Sequence, residues 1–413
     1  MRPRVAMVVT RSLTEDASIS RVRILGHVQE LFLNNFETSL FRIRNVIDTR
    51  RLFDWILAGW TMFVGIATFN PVPLQCVLFS ASSEIRRLTR EISEGAFDVI
   101  YLDSVRTWRL LKSMRTANID ARVVVDFDDL MSRRMEMLAE NGWSISLGYL
   151  SKRLPRWSQK LIEERFSGAI ARYEARALRR VERDMCADAQ AITLVSPVEA
   201  GLLRDRLPSG GHAEVCSIIP SRSVAVTDVS VRAPYRFVFI GSDFHGQNGL
   251  SLEFLVDLWR RTRPATKLHI YGRQKSTWPE VENMVWHGYV NSLTEVYSED
   301  SIAVLPALRA GGIKTKMIEA WAHGRPVLAN STAFEGLSIS GYPLVVPESE
   351  WESYVRNPEL FEGRLLSAAN IGKSYVEQEL SEDRYVARWC EVMWPTASHR
   401  SRGRSQGLID QLM

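Results

Sequence analysis

Cysteine, histidine and net charge are all scarce in this 413-residue sequence. The four cysteines, Cys76, Cys186, Cys216 and Cys390, are scattered and form no CxxC pair. That argues against structural zinc and for a reducing, cytoplasmic compartment. Seven histidines offer no ligand set, and neither a Ser-His-Asp nor a Cys-His arrangement can be argued. A formal net charge of +4 is small for this length, so no nucleic-acid partner is expected, although a local basic face is compatible with it. The sequence also lacks repeats, heptads and low-complexity segments. Its first apolar run, Val5–Val9, is too short for a signal peptide and is soon followed by Arg11; it reads as a first strand.

What is present is globular: 46% hydrophobic and 24% charged residues. The length implies two domains of about 200 residues each. Strand and helix signals alternate through both halves. In the first, strands are expected at Val5–Val9, Thr38–Arg42, Phe97–Leu102, Ala121–Asp126 and Ala189–Ser196. Helices are expected at Arg21–Phe32, Asn45–Ile56, Ile85–Ile92, Val105–Met114 and Pro197–Arg206, the last entered at Ser196, a good N-cap. Leu207–Ala233 has no strong period, and its later part, Ser221–Ala233, is the expected boundary. Alternation then restarts: Arg236–Ile240, Leu250–Thr262, Lys267–Tyr271, Val285–His287, a short helix Ser292–Ser298, Ile302–Leu305, and a last strand Leu344–Val346. Two parallel-sheet α/β domains follow, 1–225 and 234–374, with a terminal helix over 375–396 and a disordered tail over 397–413.

Two stretches carry open alternatives. Trp55–Phe69 has no charge over fifteen residues. As a helix it spans roughly 22 Å, short of a ~30 Å hydrocarbon core. It is either a buried helix of the first domain or a surface facing membrane or a lipid acceptor. A long helix from Ser158 to Cys186 has Ile162, Phe166, Ile170, Tyr173, Ala177, Val181 and Met185 on one apolar face. Its charged side is either a solvated face or a contact with anionic lipid.

The stretch Ala310–Asn330 organises the second half. It reads as loop, helix, turn and strand. Gly311 and Gly312 permit tight backbone at a helix start. Ile313, Met317 and Trp321 recur at helical spacing, and Gly324 with Pro326 ends the helix. A glycine-flanked helix start is an anion site, because bare N–H groups and the dipole point at it. Lys314 and Lys316 in the first turn oppose that dipole unless an anion sits among them. Glu319, seven residues past Gly312, falls on the same face roughly 10 Å further along. That span suits a nucleoside diphosphate, with ribose at the carboxylate. A plain amphipathic helix with a Lys316–Glu319 surface pair is the bland alternative. Gly241-Ser242, Gly272-Arg273 and Pro306–Gly312 all fall at carboxyl ends of expected strands, where such sheets bind ligands.

These residues resemble the GT-B glycosyltransferases, specifically retaining family four. The match runs through Phe237–Ser242, His269–Arg273, His287–Val290, Ile302–Pro306, Gly312-Ile-Lys-Thr-Lys316, Glu319-Ala320, Gly324–Val327 and Glu335–Leu337. The resemblance implies two Rossmann-like domains facing a cleft, with a terminal helix crossing back to the first. It implies a nucleotide-sugar donor on the second domain and a glycan or lipid-linked acceptor on the first. No metal and no cofactor besides the donor is implied. Gly312 and Ile313 would offer N–H groups to the diphosphate, Lys314 or Lys316 would neutralise it with Thr315 between them, and Glu319 would hold the ribose. Arg273 would add a cation. Gly241 would let the donor approach, with Ser242 beside it, and His245 would lie near. Family members often carry two glutamates eight positions apart; here the first falls at Gly311. They often carry Arg and Lys after the first strand of the second domain; Gly241–Glu253 has His245, Gln247 and Asn248 instead. A histidine near the reacting sugar aligns with Asp128. Lys314, Glu319 and Asp128 are thus the catalytic candidates.

Asp126-Phe-Asp128 also has the spacing of a carboxylate metal pair, but Asp128 equally fits a cleft residue or an N-cap for Leu130–Leu138. Ser20, Arg21 and Arg23, at the first helix start, either reach the cleft or are solvated. The expected function is sugar transfer from a nucleoside diphosphate at a cytoplasmic site, with peripheral contact to anionic membrane as an option. Its rivals are a nucleotide-sugar epimerase and a catalytically silent partner subunit.

Overall fold

The computed structural model describes residues 2–12, 20–49, 51–142, 145, 155–208, 213–221, 227–243, 246–274 and 276–395. The chain divides into two compact units, one of Met1–Ile218 with Val386–Met413, the other of Ile219–Tyr385. The expected tail over 397–413 and His245 lie outside the described residues.

Six parallel strands build the sheet of the first unit: β1 (Arg4–Val9), β2 (Glu37–Arg42), β3 (Val99–Asp103), β4 (Arg122–Asp128), β5 (Ala191–Leu194) and β6 (Glu214–Ser217), in the order β2-β1-β3-β4-β5-β6. Helices cover both faces, so the central strands read as continuous apolar runs rather than alternating ones. Val5–Val9 and Val99–Leu102 are buried at every position. The first helix, Ser20–Asn35, buries Val22, Leu25, Val28, Leu31 and Phe32. Phe32 meets Tyr101 of β3 edge-on at 5.3 Å and Trp389 of the Glu382–Met393 helix at 5.6 Å. Arg122 ties that helix to β4 by donating to the Val392 carbonyl at 3.0 Å.

The sheet of the second unit has five parallel strands: β7 (Arg236–Ile240), β8 (Leu268–Tyr271), β9 (Met284–Gly288), β10 (Ser301–Leu305) and β11 (Val327–Ala329), in the order β11-β10-β7-β8-β9. Its core gathers around Trp259, Trp321 and Trp351. Both sheets are thus parallel α/β layers of the Rossmann-like kind that the strand–helix alternation predicts.

The structure departs from the sequence reading at several elements. β6 lies inside the stretch that lacked a period. Its outer neighbour is absent, so only Val215 and Cys216 are buried and no alternation shows. Asn45–Ile56 is two helices, Val46–Thr49 and Leu52–Ala67. The long helix is interrupted by a wider turn at Ile162–Phe166, where Phe166 is exposed rather than inward. Ser292–Ser298 is a series of turns, not a helix. Leu344–Val346 is not a strand; Val345 makes a single bridge to Ala329. Tyr375–Trp394 is two helices, broken between Glu379 and Glu382.

Candidate functional site

In the second unit the strand ends and one helix make a close arrangement. β7 runs into Gly241-Ser242, and β8 into Gly272. Gly272 has a positive φ of 128°, and a Cβ there would lie 2.6 Å from the Gly241 carbonyl oxygen. A Cβ on Gly241 would lie 2.8 Å from Lys316 Nζ and 2.9 Å from Asn248 Cγ. Both glycines are therefore required by close approach, which side chains cannot share.

The helix Thr315–Ala322 begins later than the spacing predicts. Gly311 and Gly312 have φ of 100° and 66°, which no right-handed helix accepts. Lys314 is the cap residue and Ile313 packs on the core. Glu319 is consequently one turn, about 6 Å, into the helix rather than two turns past Gly312. The bland reading of a Lys316–Glu319 surface pair fails as well, because Glu319 is only 5% exposed.

Lys314 Nζ donates to the Gly311 carbonyl at 2.6 Å. Lys316 Nζ donates to Asn248 Oδ1 at 2.7 Å and sits 4.9 Å over the Phe239 ring. Burial pushes Lys316 down to about 8; Glu319 works against that shift and Lys314 adds to it. Asn248 in turn donates to the Ser242 carbonyl at 2.8 Å, so one side chain couples the lysine to the glycine loop. Glu335 accepts from the Gly311 N–H at 2.9 Å. Asn248 and Glu335 were thus the residues sequence reasoning left out of the site. The signal for Glu335 was present, since the Glu335–Leu337 segment was already part of the resemblance. Arg273 is at the β8 end, exposed, with its guanidinium 5.0 Å over Tyr289. Thr315 opens the helix, its N–H donating to the Ile313 carbonyl at 3.1 Å.

The first unit has its own polar cluster at strand carboxyl ends. Arg21 is buried, not solvated at a helix start. Its Nη2 donates to Asp103 at 2.7 Å and to Asp126 at 2.8 Å, and its Nη1 to Asp128 at 3.1 Å. Thr10 donates to Asp103 at 2.6 Å, Tyr101 to Asp126 at 2.7 Å, and Thr193 to Asp126 at 3.0 Å. β3, β4 and β5, with Thr10 just past β1, supply these groups because parallel register aligns Asp103 with Asp126 and Asp126 with Thr193. Burial opposes the charge on Asp103, but Arg21 and Thr10 hold it below the ordinary carboxylate range. Asp128 goes the other way. Burial pushes it up to about 7; Arg21 opposes that, and Asp129, Asp126 and Asp103 reinforce it. A bulge between Asp126 and Asp128 shifts the register so that Asp128, with φ of 68°, pairs with Leu194 and Phe127 is passed over.

The alternatives for Asp128 are thereby decided in part. It is not an N-cap: the Met131–Glu140 helix is served by carboxylates from elsewhere, Glu199 accepting from Leu130 N–H at 3.0 Å and Glu182 from Ser132 N–H at 2.9 Å. The cation between Asp126 and Asp128 is the Arg21 guanidinium. Among the described residues no group of three or more His, Cys, Asp or Glu is arranged to hold a metal ion.

Residues 234–357 match the model of a domain family described as glycosyl transferases group 1. No curated protein matches the sequence. Solved structures share the fold along nearly the whole chain at 10% identity. HepE of Anabaena, in complex with UDP and glucose, aligns with a TM-score of 0.56 over 94% of this chain and 98% of its own. The lipopolysaccharide outer core galactosyltransferase WaaB, in its apo form, has a TM-score of 0.57 over 95% and 99%. A glycosyltransferase from Rickettsia africae has 0.53 over 96% and 100%. The fold is GT-B, and the matched domain supports a glycosyltransferase as the enzyme class.

Proposed function

We propose that this chain transfers a sugar from a nucleoside diphosphate to a glycan or lipid-linked acceptor, with retention of configuration and without a resident metal. The observation that carries the reading is the pair of lysines, Lys314 buried and Lys316 half-buried, beside a glycine loop at parallel strand ends. Lys316 hydrogen bonds a neutral amide rather than a carboxylate, and its charge is held against burial. A diphosphate supplies the missing counter-charge. Gly241, Gly272, Gly311 and Gly312 bring backbone, not side chains, toward it. In transfer, the C1–O bond to the diphosphate breaks, the acceptor oxygen bonds C1, and its proton passes to the leaving diphosphate oxygen. Negative charge grows on the diphosphate in that step, so Lys314, Lys316 and the N–H groups of Gly312 and Ile313 act on the transition state. Glu319 takes the ribose, with Ser242, Thr315 and Arg273 as donor contacts. Asp128, on the first unit, is the candidate for the reacting sugar or acceptor. Glu335 returns a carboxylate to the loop where Gly311 lacks one. HepE, which shares the fold, is described in complex with UDP-glucose, which makes UDP-sugars the first donors to try. The four unpaired thiols suit a cytoplasmic setting.

The test is a thermal-shift screen against UDP, GDP, ADP, CMP and their sugars, followed by product assays with the ligand that binds. One nucleoside diphosphate should stabilise the protein by about 2.7 kcal/mol at 100 times its dissociation constant. The shift and turnover should be lost in Glu319→Ala and Lys314→Ala. Wild-type turnover in both variants would remove the site assignment, and binding without turnover would favour the silent-partner reading.

A further inference from the structure

The Leu52–Ala67 helix is turned inside out. Its fully buried positions are Asp54, Ala58 and Gly65, small or polar, with Met62 packing half-buried on the core beside them and Asp54 accepting from the Ser83 hydroxyl at 2.7 Å. A Cβ on Gly65 would lie 2.9 Å from the Asn70 carbonyl oxygen, so the backbone itself packs on the protein there. The outward positions are the large ones: Leu52, Phe53, Trp55, Ile56, Trp60 and Phe63. Trp60 and Phe63 lie side by side at 5.6 Å and are 60% and 61% exposed. Just past the helix, Phe69 is 94% exposed with φ of 56°, in the left-handed position where helix ends ordinarily place glycine. An aromatic ring is thus held in water at a conformational cost, two residues past the helix.

We propose that this face docks the first unit on an anionic lipid bilayer, with the helix lying in the interface plane. Three observations choose lipid over a protein partner. Tryptophans with an apolar body and a polar tip suit the headgroup boundary. The helix is about 24 Å long, too short to cross a hydrocarbon core, and no helix among the described residues is long and apolar enough to do so. Charge is the third. Arg51 is exposed just before the helix and Arg50 adjoins it in sequence, while the exposed Arg44 is ion-paired with Glu84. The first unit carries 35 Lys and Arg against 28 Asp and Glu, whereas the second carries 17 against 20. The positive excess of the molecule therefore lies on the unit that bears the apolar face, which is the pairing that anionic interfaces bind. This goes beyond the transfer reaction and does not depend on the donor.

The experiment is co-sedimentation of the full chain with phosphatidylcholine vesicles, with and without about one third phosphatidylglycerol. The expected result is binding to the anionic vesicles, weakened by salt. It should fall at least about tenfold in Trp60→Ser/Phe63→Ser, and less in Arg51→Gln. All three positions are on the surface, and unchanged thermal unfolding of each variant checks that folding is intact. Lack of binding by the wild type, or equal binding by the double variant, overturns the proposal. So does a dimer in sedimentation equilibrium that the double variant dissolves while vesicles bind neither form; the face would then belong to a second copy. Nucleotide thermal shifts run on the same samples keep the donor reading separate from either result.

Discussion

Lys316 holds its charge by a narrow margin, and that margin is measurable. Its folded value of about 8 is below that of a free lysine, because burial disfavours the ammonium. A bound diphosphate favours the charged form, so binding must raise that value and take up a proton. Nucleotide affinity should therefore be flat below pH 8 and fall above it, by up to roughly tenfold per pH unit. Calorimetric titration in two buffers of different ionisation enthalpy checks this through proton uptake. Lys316→Arg stays charged throughout and should lose the pH step. Arg21 is the opposite case. Three carboxylates depend on it, and removing it leaves them buried together. Arg21→Ala should cost about 3–5 kcal/mol in denaturant unfolding, more than an exposed arginine whose loss is usually within ~1 kcal/mol. Asp128 adds a third pH effect. Its folded value is raised, so the stability it contributes is full at acid pH and is lost as pH rises through about 7. Asp128→Asn should flatten the stability profile between about pH 4 and pH 7, read as melting temperature against pH. For Arg21 a cleft position stayed open only as one of two alternatives, and Asp103 was not legible as a site residue. A polar loop followed by Ser-Arg-Val-Arg reads as a solvated helix start, and the carboxylates that bury Arg21 come from strands 82 and more positions away.

At the level of elements, legibility followed burial on both sides. β1, β3 and β7 were readable because continuous apolar runs have few other uses, and Gly324-Arg-Pro marked the end of the Thr315–Ala322 helix. The start of that helix was misjudged because glycine permits either a tight helix entry or a left-handed loop, and residue type alone does not choose. The structure chooses the loop, and the choice has a consequence. Gly241 faces Lys316 and Asn248 so closely that a methyl group must displace one of them. Gly241→Ala should therefore weaken nucleotide binding by about 1–3 kcal/mol, the usual range for overpacking, while the affinity loss exceeds any loss of stability. Isothermal titration beside thermal unfolding separates the two. The helix after Arg51 was left open rather than misjudged. A charge-free run was compatible with burial or with an apolar surface, since hydropathy does not say which way a helix is turned. The small residues Ala58 and Gly65 and the lone Asp54 were the only signal of the inward face, and they read as weak positions rather than as a packing surface.

For the molecule as a whole, the two hydrophobic clusters share no residue: one gathers around β7, β8 and β10, the other around β1, β3 and β4. The chain crosses between the units at Ile218 and again at Tyr385, and among the described residues each of the two clusters is drawn from one unit. A chain with two separate cores need not unfold as one cooperative body. Calorimetry should then show two transitions, and the sites described above assign them. On the proposed reading a nucleoside diphosphate binds among Gly241, Gly312, Lys316 and Glu319, all in the second unit. At 100 times its dissociation constant it should raise one transition by roughly 5–10 °C and act on the other far less. Arg21→Ala should lower the transition that the nucleotide leaves alone, since all its carboxylate partners belong to the first unit. A single transition that both perturbations move as one would mean that the two cores unfold together, and the nucleotide would then stabilise residues it never touches, Arg21 and its carboxylates included.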